Sequence, residues 1–148
     1  MDSDGSEMTI RDATVFTLEK SLDELKKINA DFKKASGLFE EAKDSEALSL
    51  IASEIVPQIR NLFEFCHTIL SIFGDVLDQP LREQLQNKYL SLEELMNGLI
   101  DETSKGNLTE VGDIMRFDFA DLLNDISMIF PKVADCFRKS EKKELDNY

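Results

Sequence analysis

The chain has 148 residues, 42% of them hydrophobic, with 30 acidic against 17 basic side chains and a net charge of −13. That length suits one domain with a single core, and 6 Gly with 3 Pro are too few for a turn-rich all-β domain. The charge speaks against nucleic acid and anionic membrane surfaces, because both need a cationic footprint.

Residues 1–9 are predicted to be disordered, since Asp2, Ser3, Asp4, Gly5 and Ser6 have nothing to bury. This segment lacks the charged and apolar regions of a signal peptide, so a cytoplasmic protein is expected. From about Ile10 the residues Val15, Leu18, Leu22, Leu25, Ile28, Phe32, Ala35 and Phe39 form one helical stripe. It predicts a first helix running past Gly37 to about Lys43. Asp44 is the expected N-cap of the next helix, with Glu46 in its first turn.

The second helix is expected from Ser45 to about Phe73, kinked at Pro57. Beyond the proline it carries two apolar rows. One is Ile59, Phe63, Cys66, Leu70 and Phe73; the other is Leu62, Phe65, Ile69 and Ile72. Two rows exceed what one seam needs, so Phe65, Ile69 and Ile72 are expected to be buried in the bundle or across a twofold homodimer interface. Cys66 and Cys136 both fall on apolar stripes and read as reduced core residues. Glu64 and His67 share one helix face at the Glu-x-x-His spacing of di-metal bundles. The motif occurs once, however, on the polar strip, and His67 is the only histidine; a solvated pair is expected, with no metal or other cofactor.

Asp78 and Pro80 mark the third helix, which carries Leu81, Leu85, Tyr89 or Lys88, Leu92, Leu95, Met96 and Leu99; Ser91 and Glu94 leave open a break near Tyr89–Ser91. Gly106 suits a helix C-terminus, and Asn107 with Glu110 has the spacing of a capping box. The fourth helix is then expected from Leu108 to about Lys139, kinked near Pro131, with residues 140–148 a frayed charged tail. Val111, Met115, Phe119, Leu122, Ile126, Ile129, Val133 and Cys136 form its stripe. Asp118 falls inside that stripe, with Asp121 and Asp125 along the same side. A carboxylate edge beside a Phe/Met face, Met115 and Phe117, is therefore expected on this helix.

Four long helices with short connections predict an all-α, up-down-up-down four-helix bundle over residues 10–139. No Gly-rich phosphate loop or nucleophile elbow occurs. Asp118, Asp121 and Asp125 could supply paired carboxylates, but boundary acids with structural partners are the commoner case. Val111-Gly112-Asp113-Ile114-Met115-Arg116-Phe117-Asp118-Phe119 resembles the last helix of a group of small uncharacterised bacterial four-helix proteins, which tends to read Leu-Ala-Asp-Leu-Leu-Glu-Tyr-Glu-Leu. Asp113 matches outright and Arg116 departs in charge. Lys43-Asp44-Ser45-Glu46-Ala47-Leu48 is similar to their first inter-helix turn. The resemblance implies a bacterial cytosolic bundle with no assigned activity, and no catalytic residue. The expected function is non-catalytic protein binding, adaptor- or chaperone-like, to an unknown protein partner. The expected surface is the Phe/Met face of helix four beside the apolar side of helix two. A metal- or small-ligand-binding carboxylate bundle is the alternative.

Overall fold

The computed structural model describes residues 9–140. Of the segments expected to be disordered (1–9) and frayed (140–148), residues 1–8 and 141–148 lie outside the described residues, whereas Thr9 and Ser140 are hydrogen-bonded to the helices they flank. Four long helices follow one another: α1 (Ile10–Glu40), α2 (44–73), α3 (Gln79–Lys105) and α4 (108–139), with a short 3-10 turn, Gly74–Val76, before α3. α1 packs beside α2, α2 beside α3, α3 beside α4 and α4 back against α1. This closed ring of sequence neighbours is the up-down-up-down bundle that short connections enforce.

Each helix contributes one stripe to a shared core. On α1 it is Leu18, Leu25, Ile28, Phe32 and Ala35; on α4 it includes Val111, Met115, Phe119, Leu123, Ile126, Phe130 and Phe137. Aromatic rings bridge the interior. Phe32 of α1 meets Phe119 of α4 at 5.2 Å between centroids, while Phe65 and Phe73 of α2 meet Phe130 and Phe137 of α4 edge-on at 5.9 and 5.4 Å. Each fully buried side chain of this size contributes about 1.5–3 kcal/mol.

Helix ends depart from the expected caps in two places. Thr9 caps α1, its hydroxyl accepting from the Asp12 N–H, and Asp78 caps α3 by accepting from the Leu81 N–H. Lys43, not Asp44, occupies the N-cap of α2, so Asp44 already lies in the first turn. Asn107 is the N-cap of α4, but its side chain caps nothing; its amide donates to Glu102 Oε2 at 2.9 Å. The expected capping box is therefore absent, because a carboxylate on the preceding helix captures the amide. α1 ends at Glu40, three residues early, where Ala42 turns left-handed at φ 62°. α3 is continuous through Tyr89–Ser91, which excludes the break left open there.

Two segments widen from α to π geometry. Residues Ile51–Ile55 do so just before Pro57, with the Val56 N–H donating to the Ile51 carbonyl. Pro57 has no N–H, and its ring would strike the carbonyl four residues back in a regular helix. Widening the preceding turn lets α2 run on, as expected. The Gln58 amide donates to the Glu54 carbonyl beside it. The second segment is Ile114–Phe119. At Pro131, α4 continues as helix on both sides.

Candidate functional site

The Ile114–Phe119 segment decides which side chains α4 shows to solvent. In a regular helix Asp118 and Phe119 would straddle the line of Met115. A π turn rotates less per residue, so Phe119 moves inward and Asp118 outward. Phe119 is fully buried and Asp118 exposed, which corrects the expectation that Asp118 lies within the stripe. Burying an unpaired carboxylate would cost several kcal/mol (order of magnitude), and the wide turn avoids it. Arg116 in the same turn reaches α1: its Nε and Nη2 donate to Ser36 Oγ at 3.1 and 2.7 Å, and Glu40 lies 3.8 Å away. Ser36 is buried, so this bond satisfies a hydroxyl inside the α1–α4 seam.

The expected Phe/Met face does not exist as such. Met115 is fully buried in the core, whereas Phe117 is 55% exposed. Its true companion is Met128, 61% exposed, which sequence reasoning missed. Phe117, Asp121, Asn124 and Met128 are spaced by four, three and four, share one outer face, and are all exposed. Asp118 and Asp125 line the edge nearer α3. Asp125 is only half-exposed and takes the Lys88 ammonium of α3 at 3.1 Å. The Arg116 guanidinium lies over the Phe117 ring at 5.6 Å. The signal for Met128 was present: it falls between the inward positions Ile126 and Ile129, on the polar register of Asp121 and Asn124.

The apolar row of α2 also divides. Ile69 is buried in the core, Phe65 is half-buried with its edge on Phe130, and Ile72 remains 48% exposed in the monomer. Phe65 belongs to a groove between α1 and α2 of about 290 Å3. α2 and α4 occupy diagonal corners of the ring, so this row and the outer face of α4 are separate surfaces. That corrects the expectation of one combined binding face.

His67 is exposed on the polar strip, as expected. Its Nδ1 shares a 3.1 Å hydrogen bond with the Tyr89 hydroxyl, and Phe63 stacks on Tyr89 at 4.5 Å. Glu64 is exposed beside it, and among the described residues no three His, Cys, Asp or Glu side chains converge as a metal set. Cys66 is fully buried and free, and burial pushes its thiol up to about 12, which makes it a poor nucleophile. Cys136 is half-buried, contrary to its expected core position, with Sγ 3.9 Å from Asp78 Oδ2. Among the described residues no helix is long and apolar enough to cross a membrane. No family model matches the chain, and neither a curated protein nor a solved structure matches it.

Proposed function

We propose that the chain is a non-catalytic, adaptor- or chaperone-like module that binds a basic, amphipathic segment of a partner protein on the outer face of α4. One observation carries the reading. Among the described residues the two most exposed large apolar side chains, Phe117 and Met128, stand on one helix face with Asp121 between them. Asp118 and Asp125 border that face. A cationic helix can lay an apolar stripe along Phe117 and Met128 while its lysines meet the carboxylates. The flexible thioether of Met128 adapts to different partner shapes. The net charge of −13 adds long-range attraction for such a partner. The resemblance of residues 111–119 to small bacterial bundles fits this reading, and two free cysteines fit a reducing cytoplasm.

A synthetic lysine/leucine amphipathic helix is the probe. Fluorescence anisotropy is expected to show saturable binding that weakens with salt. Phe117→Ser and Met128→Ser are each expected to weaken it about tenfold, the worth of one half-buried apolar contact. Unchanged affinity in both variants would sink the reading.

A further inference from the structure

We infer that the protein forms an isologous homodimer along α1, with Phe16 of each copy seated in the α1–α2 groove of the other. The surface is separate from the outer face of α4 and stands on its own observations. α1 lies close to the first half of α2, and the contact thins beyond Pro57. There the helices leave a groove of about 290 Å3, floored by Leu25, Ile28 and Leu62, with Phe65 on its α2 wall. A cavity of roughly 150 Å3 already admits benzene. Thr17 and Ser21 also line the groove, but their hydroxyls donate to the Ala13 and Thr17 carbonyls of their own helix at 2.9 and 2.8 Å. Neither of these two donors needs a partner, and the exposed Lys20, Glu24 and Asn61 complete the lining.

The guest is on the same helix. Phe16 is 51% exposed, with the Lys20 ammonium 5.5 Å above its ring. Phe16, Lys20, Glu24, Lys27 and Asp31 follow at spacings of four, four, three and four, one stripe along the rim of α1. Lys27 and Asp31 show which way the stripe faces, because they bind Glu54 and Gln58 of α2. Lys20 and Glu24 have no ion-pair partner among the described residues. A twofold axis crossing antiparallel α1 helices at Leu22 sets Lys20 opposite the partner's Glu24 and Glu24 opposite the partner's Lys20. The same axis brings Phe16 to the level of the partner's Ile28, in the groove. The charge pattern is thus complementary to itself, which a twofold interface requires.

Net charge selects this face for a second copy. α1 carries six basic and six acidic residues, whereas each of the other three helices carries more acids than bases. Two chains of −13 meet along α1 with the least repulsion. Ile72, two turns beyond Phe65 on α2, is a further exposed apolar side chain of that helix.

Light scattering and sedimentation of the full chain over a range of concentrations test this. The wild type is expected at twice the chain mass of 16.9 kDa. Phe16→Glu is expected at the chain mass, with unchanged helical circular dichroism, because Phe16 is exposed in the monomer. Lys20→Glu and Glu24→Lys are each expected to weaken dimerisation about tenfold, as loss of a charge pair does, and the double exchange to restore it. A wild type that stays monomeric throughout, a Phe16→Glu chain that still dimerises, or a double exchange without rescue overturns the proposal.

Discussion

Ala42 and Gly106 close α1 and α3 with the same two hydrogen bonds. The Lys43 and Asn107 N–H groups reach back to the Leu38 and Glu102 carbonyls, and Ala42 and Gly106 reach Phe39 and Thr103. Both residues are left-handed, at φ 62° and 76°, but only glycine takes that conformation without a Cβ penalty. Ala42→Gly is therefore expected to raise unfolding free energy by about 1 kcal/mol, and Gly106→Ala to lower it by about as much. Thermal or urea melts read both, and a destabilised Ala42→Gly would contradict the cap. The two aspartate and asparagine caps differ in the same measurable way. Asp78→Ala is expected to cost about 1 kcal/mol, the worth of a formed side-chain cap. Asn107→Ala is expected within roughly 0.5 kcal/mol, as for a surface change. Equal losses would show that Asn107 caps α4 after all. Cap residue types were legible in the sequence; which oxygen or N–H each would choose was not. That choice depends on a neighbour such as Glu102, brought near only when two helices meet.

At the scale of the element, stripes of three and four spacings located all four helices to within a few residues. The wide turns escaped, because both answer to packing. Pro57 announced trouble but not that Ile51–Ile55 would absorb it. Nothing local announces Ile114–Phe119, where Arg116 bonds Ser36, 80 residues away in sequence. Arg116 had stood out only as the charge departure from the resembled motif. The misplacement of Asp118 follows from that one turn. α1 and α2 are tied by Asp31, which accepts from Gln58 at 2.9 Å and Lys27 at 3.1 Å. Burial alone would raise the Asp31 carboxyl, but the Gln58 and Lys27 hydrogen bonds outweigh it and hold it below its ordinary value of 3.8. The unfolded chain therefore takes up this proton first, and stability rises with pH across that window. The contribution is complete above the ordinary value and lost as pH falls through the lower folded value. Asp31→Asn is expected to cost about 1 kcal/mol at neutral pH and to lessen the fall of stability with pH just below the ordinary carboxylate value. An acid limb identical to wild type would show that the tie contributes nothing.

Across the whole molecule, composition and patterning made the bundle legible, and the ring order of the helices followed from short connections. Its surfaces were less so. The apolar excess of α2 was visible, yet whether Ile69 or Ile72 faced the core depends on how its ring neighbours α1 and α3 close over it. Placing helices two and four side by side in one face failed because the ring sets them on a diagonal. What remains is an acidic bundle with one neutral helix, α1, and one outer face on α4 where apolar side chains stand among carboxylates. We propose this α4 face as the place where a basic amphipathic segment binds. Amide chemical-shift mapping tests it most directly, by titrating the lysine/leucine helix into isotope-labelled protein. The largest shifts are expected at Phe117, Asp121, Asn124 and Met128, with α1 and the exposed side of α2 little changed. Shifts centred on α1 or α2, or spread evenly over every acidic residue, would contradict it.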